Sequence, residues 1–156
     1  MNAYDLTSLE VDFQGTTYET TQSGKYARLN YIVTLCYNDD SADFPFHTGE
    51  KAKEPVLQNV LYCLCADAEL AQESFEDFAD NCGYDKDSRK AYKIYKQCKD
   101  NAKVLRELYG KRTFERLCEF VRSVDDLGYK EAVKARADLK KHNAQMLAFA
   151  LKDTSP

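Results

Sequence analysis

Apolar and polar residues alternate along the first third of the chain with a period of two. Leu9, Val11 and Phe13 interleave with carboxylates, and a longer alternating run follows at 27–37. Because successive side chains of a strand point to opposite faces of a sheet, this pattern predicts half-buried strands. Turn-forming residues separate or close the runs at Gln14–Gly15, Ser23–Gly24 and Asn38–Ser41. We therefore expect an antiparallel β-meander of three or four strands at 5–50.

After the meander the period lengthens to that of amphipathic helices, with apolar residues three and four positions apart. The missing N–H of Pro55 suits the first turn of the first helix. Polar residues that accept hydrogen bonds from a first turn are the predicted N-caps of later helices: Ser74, Asp85 and Thr113. Glycine adopts the left-handed conformation that often follows a last turn, so two glycines are the predicted helix ends: Gly83 and Gly110.

The fold class that follows is α+β, with the N-terminal antiparallel β-meander followed by a bundle of four or five α-helices. We expect one domain over 1–156, because the chain is long enough for one core and too short for two. The helical bundle is predicted at 55–122 and a C-terminal helix at 123–156. Large apolar residues are scarce in that last helix before "MLAFAL", so we expect it to dock weakly, or onto a partner.

Six cysteines are spread along the chain: Cys36, Cys63, Cys65, Cys82, Cys98 and Cys118. Most fall on apolar stripes, such as the stripe of the third helix formed by Ala91, Ile94, Tyr95, Cys98, Ala102, Leu105 and Tyr109. Free cysteine packs as a small hydrophobic residue, so we expect reduced core thiols rather than disulfides. The N-terminus does not resemble a secretory signal, and no run approaches the roughly 20 apolar residues of a membrane helix. These features favour a cytoplasmic protein with no membrane partner.

Charge is distributed unevenly along the chain. Up to Asp87 there are seventeen acidic and five basic residues, and after it nine acidic and seventeen basic ones. The two parts carry −12 and +8, which together give the net charge of −4. Local fields attract and steer partners even when the net charge is small, so each part is a candidate interaction surface.

The acidic part contains carboxylates close to phenylalanines in "YNDDSADFPFHTGE" and "ESFEDFADNCGYDKD". An array of exposed carboxylates can imitate a phosphate backbone and compete for a basic groove on another protein. We expect a partner-binding surface formed by Asp39, Asp40, Asp43, Glu73, Glu76, Asp77 and Asp80. The alternative is that the phenylalanines belong to the core and the carboxylates only keep the protein in solution.

The basic part includes most of the third predicted helix, at 86–109, which carries cations opposite its apolar stripe and Tyr92 beside them. Cations that contact phosphates and an aromatic ring that stacks on bases are the elements of a nucleic-acid interface. The alternative nucleic-acid-binding set is Arg89, Lys90, Lys93, Lys96, Lys103 and Arg106. In the simpler interpretation, Asp100 and Glu107 form ion pairs with neighbouring lysines, as on any solvated helix.

Motifs for catalysis or metal binding are missing from the sequence. It has no glycine-rich phosphate loop, no G-x-S-x-G elbow and no H-E-x-x-H. A Cys–His pair would require His47 to meet a distant cysteine, namely Cys63, Cys65 or Cys82. Cys63 and Cys65 point about 200° apart on a helix, so they do not chelate one ion together. We therefore predict no enzyme activity, no metal and no cofactor.

The run "FPFHTGEKAKEPVLQNVLYCLCADAELAQESFEDFADNCGYDKDSRKAYKIYKQCKDNAKVLRELYG" resembles a group of short, uncharacterised proteins of bacteriophages, prophages and other mobile elements. The resemblance covers roughly 9–110. Its most specific motif includes Phe75, Phe78, Gly83, Tyr84, Asp85, Ser88, Arg89, Ala91 and Tyr95. No catalytic residues come with this group.

Short acidic proteins of that class often resemble inhibitors of host defence, including anti-CRISPR proteins. The resemblance therefore implies a phage accessory protein that docks an acidic surface on a host protein or defence nucleoprotein. Two other functions stay open: a nucleic-acid-binding accessory protein of phage recombination or replication, and a small regulator that acts by protein contacts alone.

Overall fold

The structure, a computed structural model, describes residues 7–152. Within these residues a three-stranded antiparallel sheet precedes six helices, which confirms the predicted α+β class. The strands are β1 (Thr7–Thr21), β2 (Gly24–Tyr37) and β3 (Asp40–Gly49). The helices are α1 (Leu57–Leu70), α2 (Phe75–Cys82), α3 (Arg89–Tyr109), α4 (Lys111–Asp125), α5 (Tyr129–Ala135) and α6 (Leu139–Leu151). The first residues of the predicted domain, including 5–6 of the meander, and the last four of the C-terminal helix lie outside the described residues.

β1 continues through Gly15, where the sequence predicts a turn. Phe13 faces Tyr31 and Gly15 faces Asn30, so Gln14 is an extra residue that forms a β-bulge. Gly15 adopts a φ of 119°, which L side chains rarely adopt. The turn prediction is wrong there, because a glycine between two alternating runs serves a bulge as well as a turn. β1 and β2 consequently form one long hairpin.

One face of the sheet packs on the helices and the other faces solvent. Val33 and Leu35 of β2 and Phe44 of β3 are fully buried on the packed face. Val11 pairs with Val33 across the β1–β2 ladder, which places β1 residues of the same parity on that face. The predicted alternation is confirmed, and the chain reverses at the other two predicted turns. The residues in between form the outer face of the sheet.

The two caps predicted for α2 are confirmed, whereas the N-cap of α3 is a different residue from the predicted one. Ser74 caps α2 through its side chain, and Gly83 ends it with a left-handed φ of 75°. α3 is capped by Ser88, whose hydroxyl accepts from the N–H of Ala91 over 3.1 Å. The cap predicted at Asp85 is wrong, because its carbonyl accepts from the N–H of Ser88 and so closes the preceding turn.

Two further helix starts differ from the sequence prediction. α1 begins at Leu57 with Val56 as N-cap, so Pro55 precedes the first turn. α4 begins at Lys111, directly after Gly110, which both ends α3 and serves as N-cap of α4. The predicted cap Thr113 therefore lies inside the first turn.

The apolar stripe of α3 lies in the core as predicted, and Leu105 at its centre is fully buried. Of the seven predicted stripe residues only Ile94 is half-buried. α1 and α4 pack on this helix with Leu61, Leu64 and Leu117, whose side chains are 0–1% exposed. The sheet covers the remaining side, so a single core joins the strands to the helices.

The end of the chain forms two helices, α5 and α6, instead of one, which raises the helix number above the predicted four or five. α6 docks firmly, since Met146 and Leu147 are fully buried. Asn143 donates a 2.7 Å hydrogen bond to the carbonyl of Gln58 on α1. The prediction of weak docking is wrong, because Met146, Leu147 and Ala150 are buried and belong to the core that α1 and α4 share. None of the described helices has the length and apolar character needed to cross a membrane.

Candidate functional site

Helix α3 separates the seven carboxylates that the sequence groups into one acidic surface. α2 packs on the first half of α3, where the rings of Phe75 and Phe78 lie 5.5 and 5.2 Å from that of Tyr95. β3 lies along another side of α3, where His47 shares a cleft with Ile94 and Asp40 shares one with Val104. Nine residues separate Tyr95 from Val104, which rotates the helix surface by roughly 180° and advances it by roughly 14 Å. The structure therefore divides the set into Asp39, Asp40 and Asp43 on the sheet, and Glu73, Glu76, Asp77 and Asp80 beside α2.

The carboxylates beside α2 already have neighbours on their own side of the molecule. Lys86 Nζ lies 2.7 Å from Glu76 Oε1, and this hydrogen bond lowers the pKa of Glu76 and raises the pKa of Lys86. Asn81 donates a 2.8 Å hydrogen bond to Glu73. Such exposed contacts contribute little stability, but the Lys86 ammonium offsets one of the negative charges that this group offers to a partner.

The outer face of the sheet brings three other carboxylates together. Glu10 of β1 and Asp43 of β3 both pair with Thr34 of β2, so they lie on the same face on either side of it. Adjacent strands are about 4.8 Å apart, which places the two backbones roughly 10 Å from each other. Asp12 lies two residues along β1 and therefore shares this face. We call Glu10, Asp12 and Asp43 the outer acidic face.

Neighbouring polar side chains orient two of these carboxylates. Thr34 donates a 2.7 Å hydrogen bond to Asp43 Oδ1, and Gln14 donates one of 2.8 Å to Asp12 Oδ2. All three carboxylates of the outer acidic face belong to exposed residues. Their charge is consequently displayed to solvent, with the carboxylates of Asp12 and Asp43 held in place.

Sequence patterning identifies only one member of this face as a candidate. Asp43 belongs to the predicted acidic set, whereas Glu10 and Asp12 do not. A signal for them exists, because the period of two that predicts β1 also places both opposite Leu9 and Val11. The pairing of β3 with β2, which brings Asp43 beside them, cannot be read from a local pattern.

Within residues 7–152 there are five ion pairs: Arg28–Glu19, Lys86–Glu76, Arg122–Glu69, Lys134–Glu131 and Arg136–Asp125. Only Arg122–Glu69 joins the acidic part of the chain to the basic part. The outer acidic face has no cation paired with it among these described residues. The charge imbalance of the sequence is thus presented on the surface instead of being neutralised inside the fold.

The predicted basic set lies along the solvent side of α3, and we call it the α3 basic ridge. All six members are exposed: Arg89, Lys90, Lys93, Lys96, Lys103 and Arg106. Asp100 and Glu107 form no ion pair with them in the described part of the chain. The pairing expected of a simply solvated helix is therefore not formed.

Part of the α3 basic ridge borders a cleft between the end of α1 and the start of α4. The cleft has a volume of about 240 Å³, and its cationic lining comes from Lys99, Lys103 and Arg106. Gln72 and Phe114 line it from the neighbouring helices, and no acidic side chain is among its lining residues. Its size and charge suit a small anionic group.

The two histidines lie in different environments. His47 is on the outer face of the sheet, where burial and the nearby Arg28 lower its pKa. His142 is 2% exposed, and its ring meets the edges of the Tyr62 and Phe120 rings at 5.8 and 5.5 Å. Burial also lowers the pKa of His142. Among the described contacts, no hydrogen bond joins either histidine to a cysteine.

All six cysteines are free of disulfides, and three of them are buried. Burial raises the pKa of Cys98 and of Cys118 to about 12, so both remain neutral thiols near pH 7. Residues 7–152 contain no group of three or more potential ligands arranged to hold a metal ion.

No family model, curated protein or solved structure matches the chain. The resemblance to proteins of mobile elements therefore stays a prediction from the sequence.

Proposed function

We propose that the protein is a non-enzymatic binding protein whose outer acidic face docks on a basic, nucleic-acid-binding surface of another protein and blocks it. Carboxylates held on a sheet present negative charge in a regular array, as a phosphate backbone does. The field that draws nucleic acid into a cationic groove attracts such an array as well. No catalytic group, metal or cofactor takes part in this mode of action.

The observation that supports the proposal is the placement of Glu10, Asp12 and Asp43 on one exposed sheet face without a cationic partner among the described residues. Hydrogen bonds from Gln14 and Thr34 hold two of these carboxylates. Ordering a side chain at an interface opposes binding, so carboxylates that are already oriented lose less freedom on association.

The kind of partner follows from the sequence resemblance. The resemblance to inhibitors of host defence implies a nucleoprotein of the host as the partner, and a groove that holds nucleic acid is basic. Asp39 is exposed at the β2–β3 turn and extends the docking surface at one end of the sheet. Asp40 pairs with Tyr37 and lines a cleft with Val104, so it lies on the packed side of the sheet and forms no part of the docking surface. The carboxylates beside α2 lie across α3 and form no part of it.

Affinity capture with matched charge variants tests the proposal. The wild-type protein serves as the bait. It is compared with a second bait, the triple variant Glu10→Lys, Asp12→Lys and Asp43→Lys. A control bait reverses three exposed carboxylates of α4 and its C-cap: Glu115→Lys, Glu119→Lys and Asp126→Lys. Both variants have the same net charge, so nonspecific attraction falls equally in both.

We expect wild type and control to retain a nucleic-acid-binding protein from host lysate at about 0.15 M salt, and the triple variant to lose it. Retention should weaken as salt rises, because electrostatic attraction is screened. Equal loss from both variants would contradict a specific acidic face.

Direct binding of nucleic acid by the α3 basic ridge is the second candidate function. The specific observation in its favour is that Asp100 and Glu107 leave the ridge cations unpaired in the described residues. Tyr92, which is 50% exposed, adds a ring that can stack on a base. Against it stand the acidic groups on both flanks of α3, which repel a phosphate backbone.

A gel shift with single- and double-stranded DNA and RNA separates the two functions. Nucleic-acid binding predicts a shift at about 0.15 M salt that disappears when Arg89, Lys93 and Lys96 are replaced. In that case, replacing the carboxylates of the outer acidic face with lysine should leave nucleic-acid binding unchanged or strengthen it. Absence of a shift, combined with capture that depends on the outer acidic face, favours the first function.

A further inference from the structure

β1 lies at one edge of the sheet and, among residues 7–152, pairs only with β2. The opposite edge, β3, contains Pro45 and runs beside α3, where Ala42 and Val104 line one cleft. An edge strand presents a row of unpaired N–H and C=O groups that another strand can use. Along Thr7–Phe13, the part of β1 before the bulge, the described backbone hydrogen bonds go to β2 alone. We call this segment the β1 edge.

The side chains of the β1 edge alternate in chemistry between its two faces. Glu10 and Asp12 lie on the outer acidic face. Leu9, Val11 and Phe13 lie on the packed face, where the first two are half-buried and Phe13 remains 54% exposed. The helices thus leave an apolar strip uncovered next to the open edge.

We propose that the β1 edge binds an extended segment of the partner protein in which basic residues alternate with apolar ones. The inference rests on the proposed function, since it specifies how the outer acidic face meets a basic partner. The segment adds a fourth strand whose backbone pairs with β1. Its basic side chains lie beside Glu10 and Asp12, and its apolar side chains extend the packed face next to Phe13.

Cross-strand energetics favour this occupant. Side chains directly opposite each other on neighbouring strands have Cβ atoms about 5 Å apart, so opposite charges stabilise the pair and like charges destabilise it. Alternation matters, because a segment that is basic on both faces would place charges against Val11 and Phe13. A helical or globular basic surface would leave the backbone groups of the edge unpaired.

The central registers of the β1 edge oppose pairing with a second copy of the chain. Antiparallel pairing of two edges centred on Val11 places Glu10 opposite Asp12 of the second copy. Pairing centred on Glu10 or on Asp12 places that carboxylate opposite itself. Each of these three registers brings like charges together on the outer face, which opposes self-association in them.

Backbone N-methylation of a probe peptide distinguishes strand pairing from charge attraction. The probe is a seven-residue peptide of alternating valine and lysine, and its affinity is measured by fluorescence anisotropy. Two derivatives carry N-methyl groups at the odd or at the even positions. In a strand, the N–H groups of odd and even residues point to opposite edges. Charge and side chains are unchanged in both derivatives.

We expect one derivative to bind as the parent does and the other to lose roughly tenfold or more in affinity, because only one edge of the added strand faces β1. Amide shifts in the NMR spectrum should concentrate at 7–13. Equal binding of both derivatives, or no binding of the parent peptide, overturns the inference. Neither of these two peptide results changes what the capture assay measures. The proposed function is therefore tested separately from strand pairing at the β1 edge.

A charge exchange provides the second arm. The double variant Glu10→Lys and Asp12→Lys should lose the valine–lysine peptide and gain a valine–glutamate peptide. The control Glu115→Lys and Glu119→Lys carries the same charge change on α4 and should keep the wild-type preference. A concentration-dependent dimer with shifts at 7–13 would overturn the assignment by identifying a second copy as the occupant.

Discussion

Thr34 donates a 2.7 Å hydrogen bond to Asp43 Oδ1 across the β2–β3 pair. On its other side Thr34 faces Glu10 of β1. The sheet therefore does more than expose carboxylates, since a neighbouring hydroxyl fixes the direction of one of them. An oriented carboxylate loses less freedom when it binds a partner, so this hydrogen bond favours the proposed docking.

Replacing Thr34 with valine should leave the fold intact and weaken partner binding. Valine keeps the β-branched shape that suits a strand, so loss of one exposed hydrogen bond should reduce the free energy of unfolding by no more than about 1 kcal/mol. Partner affinity should fall two- to fivefold, or roughly 0.5–1 kcal/mol, because the Asp43 carboxylate must then be ordered on binding. Thr16→Val, an exposed change on β1, is the control. Equal affinities of both variants would contradict the role of Thr34.

Truncating Leu105 to alanine should strongly destabilise the protein. Its side chain is fully buried in the middle of α3, so the change leaves a cavity and costs about 2–5 kcal/mol. Leu127→Ala, at a residue that is 57% exposed, should change stability by less than about 0.5 kcal/mol. Urea denaturation measures both, and an unchanged midpoint for Leu105→Ala would disprove the central position of this stripe.

Tyr95 ties α3 to the segment before α2. Its hydroxyl donates a 2.6 Å hydrogen bond to the carbonyl of Glu73. Tyr95→Phe should lower the free energy of unfolding by about 0.5–1.5 kcal/mol, since the carbonyl loses its donor. Tyr92→Phe provides a matched control at an exposed position. If the two variants are equally stable, the hydrogen bond does not hold α2 in place.

Asp67 should make stability depend on pH. Burial raises the pKa of Asp67 to about 6, whereas in the unfolded chain an aspartate titrates near pH 4. The folded state therefore binds more protons between these values, and the free energy of unfolding rises as pH falls through this window. His142 opposes this trend, because burial lowers its pKa and the unfolded chain takes up its proton first, below about pH 6.5.

The variant Asp67→Asn isolates the contribution of Asp67. It removes a charge that burial disfavours, so it should be more stable than wild type at about pH 8 and lose that advantage by about pH 5. The His142 contribution is common to both proteins and cancels in the difference. Denaturant titrations at the two pH values measure the difference in free energy of unfolding between Asp67→Asn and wild type. If this difference does not change with pH, the raised pKa of Asp67 is contradicted.

Local periodicity predicts most of the fold, because it reports which face of an element is buried. The stripe around Leu105 and the alternation around Val33 both follow from it. Local periodicity does not distinguish two backbone conformations, such as a bulge and a turn, when both are compatible with the same pattern of apolar and polar residues. The glycine at position 15 serves a bulge instead of a turn, and Ser88 caps α3 three residues after Asp85, which has equally suitable capping chemistry.

The candidate site depends more heavily on tertiary structure. Sequence proximity to phenylalanines groups Asp43 with Glu76, yet α3 lies between the two in the fold. Strand pairing instead brings Asp43 to the same face as Glu10, more than thirty positions earlier in the chain. A local pattern shows which residues of one strand share a face, but it does not show the order of the strands in the sheet. The grouping of Asp43 with Glu10 therefore follows only from the structure.

Displacement of nucleic acid tests the central claim most directly. The partner retained in the capture assay is loaded with a fluorescent oligonucleotide, and the anisotropy is followed as this protein is added. Docking of the outer acidic face predicts release of the oligonucleotide by wild type and by the Glu115, Glu119 and Asp126 control, but not by the variant with lysine at positions 10, 12 and 43. Release by all three proteins alike, or a stable ternary complex with wild type, would contradict it.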